Sequence, residues 1–160
     1  MRKDVAEKWV AALRSGKYKQ GQNALCNVVP HVESEETTEL FCCLGVLCDI
    51  LQHDPDFIEA NPNYGSHIVE HGHMGYLNYG LGDHDDSYEM LPWSVQSWVG
   101  MMTNDGTVVV NDPDTDDLVV AGGTFDITNN ELRLQLAHLN DCGVDFEDIA
   151  NVIEKHVEAL

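Results

Sequence analysis

Positive charge is the scarcest resource in this 160-residue chain: eight Lys and Arg stand against 28 Asp and Glu, for a formal net charge of −20. So acidic a molecule repels other polyanions. It therefore lacks the cations needed to displace counterions along a nucleic-acid backbone, which excludes direct backbone binding over most of its surface. Long apolar runs are missing too. The longest, Leu40 to Cys48, is about half of what spans a bilayer, so no membrane segment is expected. The start, MRKDVAEKWV, holds no apolar stretch of the secretory kind. The five cysteines are odd in number, and Cys42 and Cys43 are adjacent, which is not the pattern of a disulfide framework. Free thiols packed as small hydrophobes suit a reducing cytoplasm.

Hydrophobic residues make up 43% of the chain, enough for one self-sufficient core over 1–160. The periodicity of Val5, Trp9, Ala12 and Leu13 predicts an amphipathic helix over Asp4 to Arg14, stopped at Gly16. A central buried helix, apolar all round, is expected from Leu40 to about His53. Residues 54 to 90 show no clear period beyond a short strand at His67 to Val69. Pro92 opens a short helix that ends at Gly100. Thr107 to Val110 and Leu118 to Ala121 suggest a hairpin around an acidic turn. Thr128 and Glu131 have capping-box spacing, followed by a helical stripe of Leu132, Leu136 and Leu139. Asp145 caps a last helix with Phe146, Ile149, Val152 and Ile153 facing inward, and the pair forms a carboxyl-terminal αα-hairpin. The expected class is α+β: mainly helical, four main helices around the buried one, with a small antiparallel hairpin.

Several motifs imitate catalytic or metal chemistry. His67-Ile-Val-Glu70-His71 has the order of inverted zinc peptidases, which need both imidazoles on one face of a helix. Gly65, Gly72 and Gly75 flank it and oppose a helix. With His73 and His84 it leaves a metal-dependent hydrolase as a third-ranked reading. Asp112 to Asp117 begins like a calcium loop, yet the positions for its glycine and bidentate glutamate hold Asp117 and Gly123. Cys42 and Cys43 near a helix start could be nucleophiles, but no neighbouring base declares itself. The carboxyl-terminal helices resemble a helix-turn-helix, yet residues 141 to 160 carry six acids and one lysine. No catalytic set, metal site or cofactor is expected.

The informative feature is asymmetry. Arg2, Lys3, Lys8, Arg14, Lys17 and Lys19 face only Asp4 and Glu7 in the first nineteen residues, a net of +4, whereas the remainder carries −24. The basic end runs into SGKYKQGQN, which offers glycine-freed amides, a hydroxyl, two ammoniums and a ring. Such parts suit a phosphate with a stacked base. The candidate ligand site is Arg14, Ser15, Lys17, Tyr18, Lys19, Gln20 and Gly21. A phosphate loop of the G-x-x-x-x-G-K-[ST] form is absent. The competing reading gives Arg14 and Lys17 to a helix carboxyl end, where cations complement the dipole.

Three stretches carry a family resemblance. They are Trp9-Val-x-x-Leu13-x-Ser15-Gly16-x-Tyr18-x-Gln20-Gly21, then Phe41-Cys-Cys-Leu-Gly-Val-Leu-Cys-Asp49, and Leu139-Asn-Asp-x-Gly143-x-x-Phe146-x-x-Ile149-Ala150, with Leu91-Pro92 between the last two. Together they resemble small proteins encoded by bacteriophages and some bacteria, a family without an assigned activity. The resemblance implies a setting, the cytoplasm of an infected bacterial cell, and no catalytic residues. Joined to the basic loop, it leads to an expected function: a non-enzymatic phage accessory protein with a counter-defence role, which binds and sequesters a small anionic, nucleotide-like ligand. The alternative is an acidic DNA mimic that occupies a host nucleic-acid-binding protein. A host protein or a second copy of the chain are the further partners weighed.

Overall fold

The computed structural model describes residues 1–31, 36–72, 74–82, 84–110, 124–126 and 131–160. The order is α1 (Lys3–Arg14), β1 (Cys26–Pro30), β2 (Thr37–Phe41), α2 (Cys43–Leu51), α3 (Pro55–Ala60), β3 (Gly65–His71) and β4 (Met74–Gly80). There follow α4 (Trp93–Val99), β5 (Thr107–Val110), β6 (Thr124–Asp126), β7 (Glu131–Gln135), α5 (Leu136–Asp141) and α6 (Phe146–His156). The α+β class holds. The expectation of a mainly helical chain does not: among the described residues seven strands build two antiparallel sheets, ordered β2-β1-β4-β3 and β5-β7-β6.

Sheet period explains the four-stranded sheet. Cys26, Val28, Phe41, Leu77 and Tyr79 are buried and share one face, since Cys26 pairs with Phe41 and Val28 with Gly75. That face joins the core with α2, whose residues are buried from Cys43 to Asp49. The opposite face carries Asn27, Leu40, Tyr76 and His71. On α1, Val5, Trp9 and Leu13 recur at helical spacing and are buried, and the Trp9 indole N–H donates to the Cys43 carbonyl at 2.9 Å. That bond fixes α1 on the first turn of α2.

Four boundaries differ from the sequence expectation. The central helix begins at Cys43, because Leu40 and Phe41 end β2 against β1. An apolar run has no period with which to separate a strand end from a helix start. Residues 54 to 90 are not irregular: α3 is capped by Asp54, and β3 and β4 form a hairpin with seven paired positions. Glu131 to Gln135 is a strand rather than the helix expected after a capping box, for Leu132 and Leu134 pair with Val110 and Val108. Tertiary pairing there overrides local propensity. β5 thus finds its partner in β7; Leu118 to Ala121, Thr128 and the calcium-like loop at Asp112 lie outside the described residues. The last helix stands as expected, with Asp145 accepting from the Asp148 N–H at 2.9 Å.

Candidate functional site

The seven loop residues singled out by charge separate into two groups. Gln20 and Gly21 belong to a buried knot around Asn140, whose side chain is wholly inaccessible. The Asn140 amide donates to the Gly21 carbonyl at 2.7 Å, and its oxygen accepts from Gln20 Nε2 at 3.1 Å and from the Cys43 N–H at 3.2 Å. Gln20 also donates to the Val144 carbonyl at 2.7 Å. The chain through Lys19 to Gly21 runs beside Phe41, exchanging 2.8 and 2.7 Å bonds. A Cβ on Gly21 would stand 2.6 Å from the Leu40 carbonyl oxygen, so a side chain there is refused. Gly45 is tighter still: its Cβ would lie 1.7 Å from the Leu25 carbonyl oxygen. The Tyr-x-Gln-Gly, Cys-Cys-Leu-Gly and Leu-Asn-Asp motifs therefore converge on one structural joint.

Arg14 and Ser15 are also committed. The guanidinium reaches α6, donating to Glu147 at 2.9 Å, Glu154 at 2.8 and 2.9 Å, and Asn151 at 2.7 Å. Ser15 Oγ donates to the Ala12 carbonyl at 2.6 Å and accepts from the Lys17 N–H at 3.1 Å, closing the end of α1. The rest of the basic segment is engaged similarly: Arg2 pairs with Asp4, Lys3 with Glu158 and Lys8 with Asp54.

What remains is an open cleft of about 380 Å³ where Lys17, Lys19, Thr37, Glu39, Asp49 and His53 converge over Tyr18. Tyr18 is half-buried, edge-on to Phe41 at 5.1 Å, and its hydroxyl donates to Asp49 at 2.6 Å. Burial, then this bond to Asp49, pushes the phenol far above its ordinary value, so Tyr18 stays protonated. The other Asp49 oxygen accepts from Gln52 at 2.6 Å, which leaves the carboxylate tied on both sides. Lys17 Nζ lies 4.7 Å over the Tyr18 ring and 3.9 Å from Asp49. A base stacking on that face must displace the ammonium. Lys19 makes no side-chain ion pair among the described residues. Sequence reasoning missed Thr37, Glu39, Asp49 and His53. The one available signal was an acid inside an otherwise apolar helix, at Asp49.

The other motifs resolve as geometry. His67, Glu70 and His71 lie on β3, where alternation puts the two imidazoles on one face and Glu70 on the other. The helical arrangement of a zinc peptidase is thus not formed. Among the described residues no three His, Cys, Asp or Glu group as for a metal ion. Cys42 caps α2 by accepting from the Gly45 N–H, and Cys43 donates to the Leu136 carbonyl. Burial pushes the Cys42 thiol up to about 12 and Cys43 well above the ordinary value, which makes them packing groups and poor nucleophiles. No helix among the described residues is long and apolar enough to cross a membrane.

Fold and cleft together define a two-sheet α+β domain with an open polar depression beside a buried three-motif joint. Residues 1–157 match the family described as a domain of unknown function, DUF8296, and the chain belongs to that family. Comparison with curated proteins and with solved structures finds no match.

Proposed function

We propose that the protein is a non-enzymatic binding protein that holds a small phosphate-bearing, nucleotide-like ligand in the Lys17–Lys19 cleft. In the phage setting suggested by the motif resemblance, withholding such a ligand from the host is its counter-defence role. One observation carries the reading. Arg2, Lys3, Lys8 and Arg14 are matched with acids at 2.5 to 2.9 Å, whereas Lys17 and Lys19 meet in an open cleft. Ammonium donors and the Thr37 hydroxyl suit phosphate oxygens, to which charge-assisted bonds are the strong ones. Glu39 and Asp49 in the same cleft set a limit on charge. Like charges disfavour a triphosphate, so a monoester or a cyclic diester fits better. Asp49 is held by Tyr18 and Gln52, which suits a shaped wall more than a general base.

The test is a thermal-shift series with AMP, cyclic mononucleotides, cyclic dinucleotides and inorganic phosphate. A ligand at about 100 times its dissociation constant stabilises the folded form by about 2.7 kcal/mol. Lys17→Ala with Lys19→Ala should abolish the shift and leave the unliganded Tm unchanged, since exposed charges contribute little to folding. The ligand should be recovered intact. No shift with any probe, or equal shifts in the double variant, overturns the site; a converted ligand overturns the non-enzymatic reading.

A further inference from the structure

The geometry points to a second binding site, for an uncharged purine base or nucleoside, on the outer face of the four-stranded sheet. A cleft of about 480 Å³ lies there, floored by Asn27, Leu40 and Tyr76 and walled by His71 and Tyr88. That volume suits a nucleoside-sized molecule. Strand alternation separates it from the lysine cleft: Leu40 faces this side of β2, whereas Glu39 and Phe41 face the other. The two sites therefore stand or fall independently.

Three rings gather in this cleft. The Tyr76 and Tyr88 centroids are 5.4 Å apart, His71 and Tyr88 5.3 Å, and His71 and Tyr76 6.1 Å. Tyr88 is no loose loop residue. Its carbonyl accepts from the Leu25 N–H at 2.7 Å, and the preceding Ser87 exchanges 2.9 and 2.8 Å backbone bonds with Tyr79. The rings are consequently held in place while remaining partly exposed. Stacking on aromatic faces is open to any nucleobase.

Edge recognition comes from amides. Asn27 donates to the Gln22 carbonyl at 3.0 Å, which orients its amide and leaves its oxygen as an acceptor. Asn23 takes the left-handed conformation at φ 66°, a region uncommon for any residue but glycine. Its backbone N–H is bound to Asp141 at 2.8 Å, and its side chain bonds no protein group among the described residues. A planar carboxamide presents a donor and an acceptor in one plane, the complement of the adenine N6 and N7 edge. Charge decides between base and nucleotide. No Lys or Arg lines the cleft, and Glu89 does. A neutral nucleoside fits this field, and each added phosphate weakens binding.

Adenosine, AMP and maltose are the probes, titrated into isotope-labelled full-length protein and followed by amide chemical shifts. Adenosine should saturate, moving the resonances of Asn23, Asn27, Tyr76 and Tyr88. AMP should bind more weakly at low salt, with the gap closing as salt screens the acids. Tyr88→Leu should weaken adenosine by roughly tenfold, the scale of one lost stacking partner. Asn23→Gly keeps the left-handed backbone and removes only the amide; it should weaken adenosine several-fold with the Tm retained. Lys17→Ala with Lys19→Ala should leave adenosine affinity unchanged, which separates this result from the fate of the phosphate cleft. Failure of adenosine to saturate, unchanged affinity in both Tyr88→Leu and Asn23→Gly, or binding of maltose in place of adenosine overturns the proposal.

Discussion

Two neighbouring parts of one loop serve opposite purposes. At Gln20 and Gly21 the polar groups are bonded to Asn140, Val144 and Phe41, and no added atom is tolerated. At Lys17 and Lys19, a few residues earlier, the ammoniums stand in an open cleft. Buried polar groups must find partners within the protein, so they specify one geometry. Exposed cations keep water as a partner and remain available for exchange. Composition treats the two parts as a single basic, glycine-bounded loop; burial divides them.

The joint can be broken most severely at Gly45. Gly45→Ala places a methyl against the Leu25 carbonyl, a backbone contact that cannot swing away. It should cost at least ~3 kcal/mol, the severe end of overpacking. A urea midpoint close to that of the native chain would show that the crossing can widen.

Alkali should act next, through the same joint. Burial holds the Cys42 thiol up to about 12 and the Cys43 thiol well above its ordinary value, against about 8.5 in an unfolded chain. Below the unfolded value both states keep their protons and the stability is fully present. As pH rises beyond it, the unfolded chain releases protons that the folded chain retains, and stability is lost toward pH 12. Each such thiol removes about 1.4 kcal/mol per pH unit. Urea midpoints at pH 8, 9 and 10 should fall with increasing steepness; a flat series would mean that water reaches the joint.

Asn140→Ala tests the bonds themselves. It strands the Cys43 N–H and the Gly21 carbonyl, while the Gln20 amide keeps its bond to the Val144 carbonyl. A loss of about 3 kcal/mol is expected, since each buried unsatisfied group costs ~1–3 kcal/mol. Arg14→Ala should have the smallest effect of the four, although it removes more charged contacts. Its partners Glu147 and Glu154 are exposed. The Tm should drop slightly, and the difference from the native chain should vanish in 1 M NaCl, where screening is short-ranged. A salt-independent difference would point to packing by the arginine stem instead.

Helices that carry a period are legible in the amino-acid order itself. α1, α4 and α6 show apolar spacing or a cap at Asp145, and each lies where these signals put it. β1, β2 and β7 are not legible in this way, for strand pairing is settled by distant partners: β7 follows a complete local helix signal and is claimed by β5. In the candidate site, Lys17, Tyr18 and Lys19 stand out by charge, whereas Thr37, Glu39 and His53 join them only because β2 and α2 bring them near. Arg14 stands out for the same reason and proves engaged elsewhere; a sequence shows a charge but not its partner. Asn140 stands in the sequence only as part of the Leu139-Asn-Asp stretch, and its role depends on two segments more than 90 residues away.

The placement of the thiols has a practical consequence. Cys26, Cys42, Cys43 and Cys48 are buried, whereas Cys142 is exposed with its sulfur 3.6 Å from His138 Nε2. A thiol reagent added to the native protein should therefore modify one cysteine at the speed of surface chemistry. The other four should wait for the core to open. Their delayed labelling rate measures the frequency of that opening under fully native conditions. The chain thus supplies both a single attachment point for a spectroscopic probe and an internal chronometer of its own breathing, without any engineered residue.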